Sequence, residues 1–274
     1  MDLLPLLLYL SAASAYALYF ASPDRRRGHV ATALLASGVL AHTFVIGMRT
    51  MEWGHAPFAG TSAAISAFVW LLGLAYLYIE NTTDERSMGL FIVVLLSVLQ
   101  YIPTLNPPVA DAPPTVLRSP LFIVHVSSML FAYASFGLAC VIGVTYVLMF
   151  KEIKKKQLGF FYSRMPSLQV LDRMNMRAVG IGWTFITAGI MVGGAWAMTQ
   201  AVQTAPDPRL RAMSIVDPKI LVALLCWAVY SFHLVSRRLG WGGRRSAWLS
   251  AIGFGIVLLN FVPVGFFLTR SHNF

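Results

Sequence analysis

Long, nearly uninterrupted apolar runs constrain the fold of this chain more than any other feature. A helix needs roughly 20 mostly apolar residues to cross the hydrocarbon core of a bilayer. Eight runs are candidates, at residues 3–20, 30–49, 60–79, 88–102, 121–150, 178–199, 218–235 and 247–269. Their apolar residues are continuous rather than alternating, which argues against a transmembrane β-barrel. Because 57% of the residues are hydrophobic and only 12% are charged, we predict an all-α, polytopic membrane helix bundle. It has about eight transmembrane helices and forms a single domain over residues 1–274.

The distribution of basic residues predicts the orientation of this bundle. Short cytoplasmic loops retain Lys and Arg, and most of the 21 Lys and Arg residues fall on the inner side if the loop containing Arg25, Arg26 and Arg27 faces inward. Both termini then lie on the outer, periplasmic side, and we expect a multi-pass protein of the bacterial inner membrane. This topology and the anionic lipid headgroups account for the net charge of +10. No nucleic-acid partner is predicted.

A further inner-side element is expected between the fifth and sixth apolar runs. Residues 158–177 combine the aromatic side chains of Phe160, Phe161 and Tyr162 with basic and apolar positions, and they follow the basic stretch KEIKKKQ. This combination is typical of a helix that lies in the interface of a membrane. We therefore predict a short amphipathic segment at residues 158–177 on the inner surface.

The placement of two histidines predicts a haem site on the outer side. Imidazole is a good ligand for haem iron and for zinc. His125 and His272 lie at the same outer level and flank the stretch from Gly193 to Lys219, which contains Trp196. A flat apolar macrocycle between them would have aromatic walls and two axial donors. Zinc is disfavoured because it takes three or four clustered ligands, and Asp217, the expected cap of the next helix, is the only carboxylate in that capping segment.

The remaining histidines leave alternatives open. His233 and His42 are expected roughly 6 Å and 18 Å from the inner ends of their helices, so they could share one haem only with a strong tilt, and separate structural roles are the alternative. His55 lies in an outer loop and is a third candidate for the outer site, although we expect it to be a solvated loop residue, and His29 is expected to be a neighbour of lipid headgroups. The chain contains no nucleophile with its base, no P-loop and no Gly-rich dinucleotide turn. We therefore expect no catalysis by this chain alone.

Several different short motifs are spread along most of the chain from the second apolar run onward. They are GHAP at 54–57, HVSSMLFAYASFGLA from 125, MPSLQVLDRMNMRAVGIGW at 165–183, GGAWA at 193–197, DPK at 217–219, LLCWAVYSFHL at 224–234 and GWGGRR at 240–245. Together these motifs resemble the cytochrome c assembly family of haem-handling membrane proteins, of the CcsA type, with the HemX group close by. The resemblance implies a haem-delivery component of a cytochrome c haem-attachment system, working with a membrane partner, apocytochrome c and membrane lipids.

The resemblance also implies a set of site residues. Non-covalent haem b is expected at the outer face between His125 and His272, with iron as the bound metal. Trp196 and Asp217 match the edges of the family's tryptophan-rich segment, and His233 matches a histidine in the helix that follows it. The family's WGxxWxWD core is absent, because no tryptophan occurs between residues 197 and 216. This loss favours an alternative, a HemX-like regulatory membrane protein that acts on haem biosynthesis through a cytosolic partner.

Overall fold

A computed structural model describes residues 3–58, 61–108, 119–156, 159–199 and 218–259. Over these ranges the chain forms nine α-helices and no β-strand. The helices are α1 (Leu3–Ala21), α2 (Arg25–Trp53), α3 (Thr61–Thr83), α4 (Gly89–Leu105), α5 (Pro120–Lys154), α6 (Phe160–Arg164), α7 (Leu168–Ala197), α8 (Pro218–Arg238) and α9 (Gly243–Leu259).

Most of these helices have the length and composition of membrane spans. Among the described residues, α1, α2, α3, α5, α7 and α8 are the six helices long and apolar enough to cross a bilayer. Helix α4 and the described part of α9 are each 17 residues long. The predicted all-helical, multi-pass membrane bundle is therefore confirmed. The count of eight spans and the outer position of both termini stay predictions.

The segment predicted at residues 158–177 does not form one separate helix. Its first part contains the short helix α6, and its second part is the start of α7, which continues without interruption into the next apolar run. Ser167 marks the boundary between the two parts, because its Oγ accepts a hydrogen bond from the backbone N–H of Val170 and caps α7. Capping, rather than the start of the apolar run, thus sets the beginning of α7. The position of this segment on a membrane surface stays a prediction.

The helices pack as two sets joined by α3. In the first set, α1 lies against α2 and α4, and α3 packs against α2 and α4. In the second set, α5 and α7 form the most extensive helix pair, and α9 packs against α5, α7 and α8. Helix α3 contacts both α5 and α7. At one end of the second set, Asp172 of α7 forms an ion pair with Arg237 of α8.

Helices α5 and α7 run antiparallel and pair through glycines. Four glycine or aromatic positions of α7 each face one side chain of α5, and further along Asn175 Nδ2 donates to the carbonyl of Ala139 at 2.7 Å. The pairs are Phe122 with Trp196, His125 with Gly193, Met129 with Gly189, and Phe136 with Gly182. The ring of Phe136 also stacks on Tyr230 of α8, with 3.6 Å between centroids. Small residues allow such close helix approach in membrane proteins, so this seam holds the second set together.

A buried carboxylate joins the first set of helices. Glu80 of α3 is 1% exposed and accepts hydrogen bonds from Tyr16 Oη of α1 at 2.6 Å and from Thr32 Oγ1 of α2. The Nε of Arg86, in the turn before α4, lies 3.9 Å from Glu80 Oε1. A buried charge is costly unless it is paired and hydrogen-bonded. These three partners therefore tie four elements to one carboxylate.

Candidate haem site

His125 is held by the start of α5. Ser119 caps the helix, since its Oγ accepts from the N–H of Phe122 at 3.2 Å, and Pro120 occupies the first helical position, where no intrahelical donor is lost. His125 follows in the second turn and is half-buried. Its Nδ1 lies 2.8 Å from the carbonyl oxygen of Gly189 in α7. The two helices together therefore orient this imidazole.

The hydrogen bond to Gly189 selects one tautomer of His125. A carbonyl oxygen only accepts, so Nδ1 must carry the proton that is donated. In the neutral imidazole, Nε2 then carries the lone pair. Histidines that bind metals usually donate their other N–H to a carbonyl or carboxylate, which fixes the ring orientation and raises the basicity of the ligating nitrogen. His125 thus has the arrangement of an axial ligand through Nε2.

Trp196 lies at the same end of the α5–α7 pair as His125. Its side chain is 4% exposed, and its ring centroid is 5.0 Å from that of Phe122. The buried indole Nε1 has no hydrogen-bond partner among the described residues, although buried indole N–H groups usually have one. This donor can bind an acceptor outside the described residues. An imidazole lone pair, an apolar aromatic wall and a spare N–H donor fit the edge of a haem.

Two of the predicted site residues lie outside the described part of the chain. These are His272, the predicted second axial ligand, and Asp217, the predicted cap of α8. Helix α8 begins at Pro218, immediately after Asp217. Their part in the site stays a prediction.

His233 lies apart from His125, in a buried polar cluster of α7, α8 and α9. Its side chain is completely buried, and Nε2 lies 2.9 Å from the carbonyl oxygen of Ser246 and 3.1 Å from Ser250 Oγ. Ser250 Oγ in turn donates to Asn175 Oδ1 at 3.0 Å. The Nδ1 of His233 has no hydrogen-bond partner among the described residues. As arranged, Nε2 is engaged with protein groups, and only Nδ1 remains for a ligand.

His42 is built into the first set of helices instead. Tyr9 Oη lies 3.0 Å from its Nδ1, and Ser66 Oγ lies 2.9 Å from its Nε2. Both ring nitrogens are therefore engaged, which favours the structural role over a haem shared with His233.

The expectation that His55 is solvated is wrong, because this residue is 7% exposed, lies beside the Trp53 ring and has Nδ1 3.2 Å from the carbonyl oxygen of Ala56.

Comparison with known proteins identifies the family. The model of the family described as "Cytochrome C assembly protein" matches residues 4–272. The chain belongs to this family. A relative named cytochrome c biogenesis protein CcsA, from Guillardia theta, is 26% identical over 252 residues, which covers 85% of this chain and 81% of the relative.

Other members of the same name show similar likeness. The CcsA of Trieres chinensis is 25% identical over 267 residues, covering 84% of this chain and 81% of the relative. The CcsA of Synechococcus elongatus is 24% identical over 291 residues, covering 89% of this chain and 87% of the relative. The likeness to these cytochrome c assembly proteins thus extends over most of both chains.

In this cytochrome c assembly protein, the contribution of α7 to the His125 environment was missed by sequence reasoning. Gly189 accepts the imidazole N–H through its backbone, which no side-chain motif reveals. The sequence does contain a signal, because Gly189 and Gly193 form a GxxxG pair within an apolar run, and such pairs mark close helix–helix contacts in membranes. The pair predicts a contact but not which side chain of the neighbouring helix fills it.

Proposed function

We propose that this chain handles haem during the biogenesis of c-type cytochromes, as a multi-pass protein of the bacterial inner membrane. Its family and its CcsA relatives support a role in cytochrome c biogenesis. The observation that carries the haem assignment is the hydrogen bond from His125 Nδ1 to the carbonyl of Gly189. It directs the lone pair to Nε2, the atom that would ligate iron.

The proposed ligand is non-covalent haem b, presented at the outer face. His125 and His272 would be its axial ligands, and Trp196 and Asp217 would border it. His233 contributes through its buried Nδ1 only if the haem or a second haem reaches the α8–α9 interface. When bound, the haem supplies the porphyrin that a c-type cytochrome carries.

The residues of the chain bind, orient and shield this group. His125 is oriented by Gly189, and Trp196 packs on Phe122 at the same end of the helix pair, where the two rings would serve as an apolar wall that excludes water from the ligating side. The Nε1–H of Trp196 is a donor for a polar edge group such as a propionate. Because these actions bind and present rather than transform, the chain serves as the haem-delivery part of an assembly. A partner membrane protein and apocytochrome c complete it.

Absorption spectroscopy of the purified full chain tests this proposal. We expect a b-type haem spectrum in the reduced and oxidised protein, with haem occupancy strongly reduced in His125→Ala and in His272→Ala. His29→Ala is the matched control, since His29 is exposed and bonded only to the Arg25 carbonyl among described residues. Full occupancy in both site variants would exclude the outer site.

A regulatory role is the second candidate, in the manner of a HemX-like protein. The observation that favours it is the exposure of Lys154, Lys155 and Lys156 at the end of α5, which leaves three cations available to an acidic surface of a cytosolic enzyme of haem synthesis. Co-purification of such an enzyme should be lost when the three lysines are changed to Gln. Retained co-purification would reject this docking surface, and the haem spectrum decides between the two functions.

A further inference from the structure

The imidazole of His125 reaches the carbonyl of Gly189 across the backbone of Gly193. In a helix the carbonyl of residue i faces the N–H of residue i+4, so Gly193 lies directly beside the Gly189 oxygen. A Cβ added to Gly193 would stand 2.4 Å from His125 Nδ1, 2.6 Å from Cε1 and 3.2 Å from Cγ. Real Cβ atoms do not approach ring atoms so closely, because packed interiors have no room for such overlap. The space that a side chain would occupy at position 193 is thus filled by the imidazole.

The neighbouring glycine shows that this requirement is local. A Cβ added to Gly194 would meet nothing within 4 Å, although both residues belong to the same turn of α7. Helix propensity therefore acts equally at the two positions, and only Gly193 faces the ring. Moving the ring away from a Cβ at 193 would separate Nδ1 from the Gly189 oxygen, since the 2.8 Å hydrogen bond crosses that position.

We propose that Gly193 is a positioning residue for His125: its lack of a side chain lets Nδ1 donate to Gly189 and thereby aims Nε2 at the ligand. This inference rests on the proposed function in naming haem as that ligand. When a metal-ligating histidine loses the hydrogen-bond acceptor of its other ring nitrogen, metal affinity typically falls 10–100-fold. A single methyl group at position 193 should therefore weaken haem binding although it touches no haem atom.

Haem titration of the full chain is the first test. Gly193→Ala should lower haem affinity about 10–100-fold, while Gly194→Ala should bind as the parent protein does. Because Gly193 acts through the imidazole, the double variant His125→Ala/Gly193→Ala should bind no more weakly than His125→Ala alone. Additive losses, or an equal loss in Gly194→Ala, would overturn the proposal.

A haem-free measurement separates this inference from the proposed function. In the apo protein, the rate at which diethyl pyrocarbonate modifies His125, followed by peptide mass mapping, should differ severalfold between the parent and Gly193→Ala, because displacing the ring changes its exposure and removes the hydrogen bond that raises the basicity of Nε2. It should not change in Gly194→Ala, and exposed His29 should react equally in all variants. If the parent binds no haem but His125 reactivity responds in this way, the haem assignment fails and the positioning role stands. Unchanged reactivity in Gly193→Ala would overturn the positioning role.

A variant that folds poorly is also informative. If the methyl group at position 193 destabilises the chain by displacing the ring, removing the ring should remove the conflict. The melting temperature of His125→Ala/Gly193→Ala should then return to that of His125→Ala. A double variant as unstable as Gly193→Ala would show that position 193 does not act through His125.

Discussion

Two carboxylates share Arg86, and they offer a matched pair of substitutions. The Glu80 side chain is 1% exposed, whereas the Asp84 side chain is 87% exposed. Burial alone lowers the pKa of the Arg86 guanidinium, but the hydrogen bond to Asp84 and the charge of Glu80 outweigh it, so its pKa is raised. Glu80→Gln and Asp84→Asn each remove one negative charge from the same arginine with little change of shape. Asp84 has φ of 51°, a conformation that Asn also tolerates.

The two substitutions should differ in their effect on the free energy of unfolding. The Glu80 carboxylate accepts from Tyr16 and Thr32, and an amide can accept from only one of them while its NH₂ faces the other. A hydrogen bond to a charged group contributes about 1.5–3 kcal/mol, so Glu80→Gln should cost about that much. Glu80→Ala leaves the Tyr16 hydroxyl without its acceptor and opens a cavity, although Arg86 keeps Asp84 and Thr32 keeps the Gly28 carbonyl, so it should cost about 2–5 kcal/mol. The exposed pair of Asp84 should contribute at most about 1 kcal/mol.

Unfolding of the full chain in mixed micelles measures these differences. Tryptophan fluorescence followed through an SDS titration gives the free energy of unfolding for the parent and each variant. Tyr16→Phe, made alone and with Glu80→Gln, measures the coupling between the two groups. The losses of unfolding free energy in the two single variants should not add up to the loss in the double variant. Equal losses for Glu80→Gln and Asp84→Asn would refute the argument, because burial would then make no difference to the carboxylate.

Three further substitutions test the packing of the bundle and the assignment of its histidines. Gly182→Ala should destabilise the chain by about 1–3 kcal/mol, since its Cβ would stand 2.4 Å from Phe136 Cε1. A Cβ at Gly180 meets nothing within 4 Å, so Gly180→Ala should be neutral or stabilising. The same SDS titration measures both variants, and equal effects would contradict the close packing of α5 on the glycines of α7. His42→Gln should leave the haem spectrum unchanged because both ring nitrogens of His42 bond to protein groups, and loss of the haem absorption would contradict its structural role.

The helical architecture could be predicted because apolar run length is a local property of the sequence. The start of α5 is an example, since the apolar run was predicted from residue 121 and the helix begins at Pro120. The ends of the longer helices were predicted less well. Helix α7 begins at Leu168, within residues predicted as a surface segment, because the Ser167 cap and continued backbone hydrogen bonding extend a helix into polar residues.

Contacts between distant residues were beyond prediction from local patterns. In the sequence, Glu80 begins a short acidic stretch at residues 80–85, and only the packing of α1 and α2 against α3 brings Tyr16 and Thr32 to its carboxylate. His55 was expected in solvent for the same reason. At the candidate site, residue types and spacing singled out His125 and Trp196, but the backbone acceptor that orients His125 carries no residue-type signature.

Helix α7 connects two distant contacts without interruption. Asp172, ion-paired with Arg237, and Gly193, beneath the His125 ring, are about 32 Å apart along the helix axis. Successive residues of an α-helix are rotated by about 100°, so rotating α7 by one residue would turn Gly193 away from the imidazole and bring Val192 or Gly194 into its place. The contacts that fix the rotation of α7 along its length, from the Asp172–Arg237 ion pair to the glycine contacts with α5, therefore also determine which residue faces the imidazole.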